Sequence, residues 1–140
     1  MILCTRSTHN LNKPCELVNY IMHRFIFPGL GLGAALGQTG IVSSHMINKA
    51  SEALVELLTE DDLSRGSVFP DLADVRTVSC HLAARVIQEA IDEGLELGNE
   101  EAVKAAQKGF ESLKLYIWGK MWYPHYRSLV YKKDNAIIDG

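Results

Sequence analysis

The sequence predicts a mostly α-helical chain with one short strand that has no partner. Three observations lead there. First, three long stretches repeat apolar residues at spacings of three and four, the mark of amphipathic helices. They are Met46, Ile47, Ala50, Leu54, Leu57 and Leu58; then Val75, Val78, Leu82, Val86, Ile87 and Ile91; then Val103, Ala106, Phe110, Leu113 and Ile117. Second, the apolar run Phe25-Ile26-Phe27 meets Pro28 and then Gly29, Gly31, Gly33 and Gly37. It reads as a strand ending in a backbone-exposing turn, from which a small-residue helix leaves. Third, 140 residues hold one domain at most. A lone strand leaves its backbone donors and acceptors unpaired, so this one asks for neighbours beyond the chain.

The elements follow in order. Residues 1–14 show no period, and Pro14 can open a helix over 15–25 through Leu17, Ile21 and Met22. Gly33 to Leu36 is expected to be helical and Gly37-Gln38-Thr39-Gly40 to stop it. Ser43 or Ser44 caps the helix that runs from His45 to Leu58. Thr59 with Glu60, Asp61 and Asp62 opens a short helix, its acids suited to the positive terminus, and Gly66 closes it. Phe69 sits in a loop, Gly94 ends the second long helix as a C-cap, and Asn99-Glu100-Glu101 caps a third helix reaching Gly119. Trp122 to Tyr126 breaks helix before a short extended run, Leu129-Val130-Tyr131, and the tail from Lys132 to Gly140 is polar at first.

Composition narrows the function. Apolar residues are 47% and charged residues 22%, ordinary for a globular chain. A net charge of −3 and the small patch Lys132-Lys133 point away from nucleic acid. No stretch approaches the roughly 20 apolar residues of a membrane span. Cys4, Cys15 and Cys80 form no CxxC pair and fit a reducing compartment. No signal peptide is evident, and Arg6 and Arg24 with Glu16 make a poor transit segment.

Several residues are candidates for chemistry. Gly29-x-Gly31-x-x-Ala34 is a loose dinucleotide fingerprint, with Glu52 the acid at about the right distance. Pro28 before the first glycine, and Glu52 inside a helix, favour a packing role for the small residues instead. Cys80 and His81 are adjacent and so diverge on a helix; His45 reads as a helix-start residue and His125 as part of an aromatic loop. Asp61-Asp62 and Glu100-Glu101 occupy capping positions, Asp71 and Asp74 flank a helix start, and none converges as metal ligands do. From the residues alone no catalytic, cofactor-binding or metal site is complete.

Phe27-Pro28-Gly29-Leu30-Gly31-Leu32-Gly33-Ala34 resembles the segment that opens the C-terminal part of malic enzymes. The likeness continues through Ile41-Val42-Ser43, Met46, Ala50, Ala53 and Leu54; through Phe69-Pro70, Leu72, Val75, Arg76, Val78 and Ser79; and through Met121-Trp122-Tyr123-Pro124-His125-Tyr126 with Leu129-Val130. The resemblance implies a helical C-terminal portion of an incomplete Rossmann-type α/β domain over 25–131. Residues 1–24 would be a non-family arm and 132–140 a tail. It implies oxidative decarboxylation of malate to pyruvate and CO2, with NAD or NADP and divalent Mg or Mn, in a cytoplasmic or mitochondrial oligomer. The family's catalytic tyrosine and lysine, metal-binding acids and nucleotide loop lie upstream of the matching region. Its two malate-holding asparagines correspond to Met22 and His23, which carry no amide. The expectation is therefore a truncated product without turnover of its own. The alternative is a helical module that associates with itself or with full-length subunits.

Overall fold

In the computed structural model, residues 22–64, 66–67 and 69–123 are described. A π-turn, Met22–Ile26, runs into helix α1 (Phe27–Gly37). Then come α2 (Ser44–Glu56), the short α3 (Glu60–Ser64), a 3-10 turn (Leu72–Asp74), and the longest helix α4 (Val75–Asp92). Helices α5 (Glu100–Gln107) and α6 (Phe110–Lys120) complete the described fold.

α4 is the axis. Val78, Leu82, Val86 and Ala90 form one buried row, closed over by Phe25, Ile26, Leu30, Met46, Ala50, Ala53 and Leu54 from the π-turn, α1 and α2. Cys80, Ala83, Ala84 and Ile87 form a second row, closed over by Ala105, Leu113 and Ile117 from α5 and α6. Each fully buried Leu, Ile or Phe contributes about 1.5–3 kcal/mol relative to exposure. A helix apolar on two flanks is buried on two flanks, and α4 holds the molecule together for that reason.

Local chemistry sets the ends. Ser43 Oγ accepts from Met46 N at 3.1 Å and starts α2. Thr59 Oγ1 accepts from Asp62 N at 3.2 Å while Asp62 Oδ2 accepts from Thr59 N at 3.0 Å, a reciprocal cap on α3. Asp71 Oδ1 accepts from Ala73 N at 2.9 Å ahead of α4. Gly94, at φ 73°, turns the chain out of α4, with Leu95 N donating to Ala90 O at 2.9 Å.

Two expectations are corrected. No strand occurs among the described residues: Phe25 and Ile26 lie in the π-turn and Phe27 begins α1. Pro28 falls in the first helical turn, where its missing N–H costs nothing and its fixed φ suits the helix. Of the residues that looked strand-like, Phe25 and Ile26 are buried in the cluster built on α4 and α2, while Phe27 stays 46% exposed. The expected third helix is two, because Gly109 at φ 117° breaks the run between Gln107 and Phe110. The expected helix over 15–25 lies outside the described residues up to residue 21, as do the extended run Leu129-Val130-Tyr131 and His125.

Candidate functional site

The glycine stretch folds as eleven residues of helix without one polar side chain. Gly29, Gly33 and Gly37 recur every four residues and line one face. A Cβ on Gly29 would stand 2.5 Å from Leu82 Cβ, and one on Gly33 would stand 2.9 Å from both Ala83 O and Val86 Cβ. These glycines are small because α4 passes against them. A dinucleotide fingerprint needs its glycine face open to a pyrophosphate. Here that face is filled by protein, so the residues do not fit a nucleotide cradle. Gly31 faces the other way, with nothing within 4 Å of a Cβ built on it.

Before α1, Met22 packs half-buried against the first cluster, and the exposed His23 ring lies 5.3 Å from the Phe27 ring. These are the positions that the resemblance aligns with malate-holding asparagines. The structure gives Met22 a packing role and places His23 on an aromatic neighbour.

The acids are occupied with structure. Glu52 pairs with Lys49 at 3.0 Å, Glu100 with Lys104 at 3.1 Å and Glu101 with Lys120 at 3.2 Å. Lys49 and Lys120 are drawn above their ordinary range by the hydrogen bonds they make to Glu52 and Glu101. Among the described residues no three His, Cys, Asp or Glu side chains converge as a metal site. His45 is exposed in the first turn of α2.

One polar cluster was not foreseen. His81 and Arg85, one turn apart on α4, both reach Glu56 Oε2 at the end of α2, at 3.5 Å from Nε2 and 2.8 Å from Nη2. The His81 contact lacks hydrogen-bond alignment, leaving Nε2 buried without a hydrogen-bonding partner. Phe110 of α6 closes the cluster: its ring meets His81 edge-on at 5.2 Å, and the Arg85 guanidinium lies 4.5 Å above it. Burial pushes the His81 imidazole below its ordinary 6.5; Glu56 pulls the other way, and the Arg85 and Lys114 charges add to the lowering. Burial raises the Glu56 carboxyl, but the Arg85 hydrogen bond and charge prevail and hold it below 4.5.

Cys80 sits on the flank of α4 away from this cluster, where Sγ donates to Lys114 O at 3.4 Å and burial pushes the thiol up. A buried thiol of that kind is inert. So Cys80 and His81 do diverge, as adjacency on a helix requires.

A second set of unforeseen contacts belongs to Asn99. Its Oδ1 accepts from Glu101 N and Ala102 N, capping α5, while Nδ2 donates to Leu36 O at 2.6 Å and Tyr116 Oη at 2.9 Å. One side chain thereby joins α1, α5 and α6. Its capping role was visible in the sequence; its reach to Leu36, 63 positions away, was not.

Comparison with known proteins adds the following. The family model described as the NAD-binding domain of malic enzyme matches residues 12–91. The match begins at residue 12, upstream of Phe25 and inside the arm over 1–24 that was expected to lie outside the family. The chain is 35% identical over 118 residues to a mitochondrial NAD-dependent malic enzyme of Solanum tuberosum, covering 83% of this chain and 19% of the relative. It is 38% identical over 112 residues to mitochondrial NAD-dependent malic enzyme 1 of Arabidopsis thaliana, covering 79% and 18%. An NADP-dependent malic enzyme of Vitis vinifera is 35% identical over 104 residues, covering 74% and 16%. The chain thus spans about a fifth of the length of the curated relatives it matches.

Proposed function

The chain belongs to the malic enzyme family, and on that premise we propose that it supplies the helical C-terminal part of the NAD-binding domain and does not turn over malate by itself. The reaction proposed for the whole enzyme is oxidative decarboxylation of malate to pyruvate and CO2, with NAD or NADP and a divalent Mg or Mn ion. The compartment carried over from the first relatives is the mitochondrion. The reading takes residues 25–131 as family sequence. The nucleotide and the metal are assigned to parts of the enzyme outside the described residues.

The observation that carries this reading is the filled glycine face of α1. The stretch with the best claim to a phosphate is committed to α4 instead. An enzyme must lower its barrier by amounts that accelerate reaction about 10⁶-fold or more. That takes groups aimed at developing charge, whereas Glu52, Glu56, Glu100 and Glu101 are all held in ion pairs.

Two assays test the two halves of the proposal. Purified chain with malate, Mn or Mg and either nucleotide is expected to form no reduced nucleotide above the blank; turnover would overturn the claim of inactivity. Residues 25–131 grafted into the Solanum tuberosum enzyme, in place of its matching segment, are expected to sustain malate-dependent NADH formation. A soluble graft without activity would overturn the family role.

A further inference from the structure

From the cluster around His81 we infer a proton-operated lid: the first turn of α6, hinged at Gly109, closes Phe110 over neutral His81 and lifts when His81 takes a proton.

The closed arrangement leaves the imidazole short of partners. Glu56 Oε2 is already held by Arg85 Nη2 at 2.8 Å, and His81 Nε2 reaches the same oxygen at 3.5 Å without hydrogen-bond alignment. His81 Nε2 and Arg85 Nε are both buried without a hydrogen-bonding partner. A neutral ring tolerates such a place at modest cost. An imidazolium does not, because a buried charge needs a full set of hydrogen bonds or water. The charges that act on it are divided. Glu56 at the end of α2 favours the cation, whereas Arg85 on α4 and Lys114 on α6 oppose it. Lys114 is itself paired with Glu111 at 3.1 Å. Burial and two cations outweigh one shared carboxylate, so the proton is accommodated by letting water in.

The way in runs past Phe110. Its ring covers His81 edge-on with centroids 5.2 Å apart, and it is the first residue of α6. Phe110 packs half-buried against the second cluster, which keeps the lid closed while His81 is neutral. Behind it stands Gly109 at φ 117°, a conformation that glycine enters and leaves without steric cost. No side chain caps the start of α6. The turn is closed by Leu113 N donating to Gly109 O at 3.1 Å, and lifting breaks that bond. Farther along, α6 is held by buried Leu113 and Ile117, by the bond from Asn99 Nδ2 to Tyr116 Oη and by Lys120 on Glu101. The moving part is therefore the stretch from Gly109 to Ser112. Its lifting also uncovers the Arg85 guanidinium, which lies 4.5 Å above the Phe110 ring.

Hydrogen exchange of the full chain, followed by NMR and corrected for intrinsic rates, tests the lid. The Leu113 amide is expected to lose protection roughly tenfold between about pH 7.5 and about pH 5.5, the factor for an open state that titrates near 6.5 and a closed state that titrates below this window. Exchange at Leu113 is expected to be indifferent to dilute urea, since a lifted turn exposes little surface, while exchange at Val86 in α4 rises with urea. In His81→Gln, uncharged at every pH, protection at Leu113 is expected to stay constant. Glu56→Gln leaves the ring in place and is expected to move the loss to lower pH, since Glu56 favours the cation. Protection at Leu113 that does not change with pH would overturn the inference, as would an equal change in His81→Gln or an unshifted loss in Glu56→Gln. Exchange at Leu113 that rises with urea as it does at Val86 would overturn it too, because the proton would then be acting on the whole fold.

Discussion

Gly29 and Gly31 are two residues apart and face opposite ways, and substitution separates them. Alanine at Gly29 puts a methyl 2.5 Å from Leu82 Cβ, a backbone-proximal atom that cannot swing aside. Gly29→Ala is expected to cost about 1–3 kcal/mol, the usual penalty for overpacking. Gly31→Ala meets open space and removes helix-interior glycine, so it is expected to stabilise by about 0.5–1 kcal/mol. Denaturant titration of the isolated variants checks both, and equal effects would refute the stripe. His81 supplies a pH signature at the same scale. Its folded value lies below 6.5, so the unfolded chain binds the proton first as pH falls. Stability from this residue is complete above 6.5 and is lost as pH falls through the folded value. Wild type is expected to lose more stability than His81→Gln between about pH 8 and about pH 5, measured by urea midpoint. The Glu56 contribution falls away only below 4.5, a separate and more acidic window.

At the scale of elements, Asn99 is the joint to test. Asn99→Ala removes the α5 cap, worth about 0.5–2 kcal/mol, and strips Leu36 O of its donor, worth about 1–3 kcal/mol if no water replaces it. Asn99→Asp keeps the capping oxygen and loses the donor, so its midpoint is expected to fall between wild type and Asn99→Ala. An aspartate as damaging as alanine would place the whole effect in the bonds to α1 and α6. The elements also show what was legible in advance. α2 and α4 were readable because each has a polar side to contrast with its apolar row, and because Ser43, Thr59 and Gly94 punctuate the chain. α1 was not, since a helix without polar side chains has no period, and Phe25-Ile26-Phe27 has the composition of a strand. The break at Gly109 was missed because the apolar spacing runs on through Ala106 and Phe110. The Glu56–Arg85 pair joins positions 29 apart, and no local spacing announces a tertiary contact.

For the molecule as a whole, the question is whether two cores behave as one. The rows Val78-Leu82-Val86 and Cys80-Ala83-Ile87 belong to the same helix, so neither cluster can open without exposing a flank of α4. Leu54→Ala in the first cluster and Leu113→Ala in the second are each expected to cost about 2–5 kcal/mol. Both are expected to shift a single transition seen alike by far-UV circular dichroism and the fluorescence of Trp118 and Trp122. Two separated transitions would show the clusters melting independently.

The glycine stripe has a further consequence for how α1 finds its place. Side chains that interlock resist sliding, but a groove repeated every four residues offers nearly the same fit after a shift of one turn, about 5.4 Å. Gly29, Gly33 and Gly37 therefore permit close approach without specifying the register. The register is fixed by the leucines between them, Leu30 in the first cluster and Leu32 and Leu36 against the second, and at the ends. Phe25 and Ile26 anchor one end in the first cluster, while the bonds from Asn99 Nδ2 to Leu36 O and from Gly98 N to Gln38 O hold the other. The glycines are a smooth rail, and the leucines beside it with the two clamps at its ends decide where the helix stops.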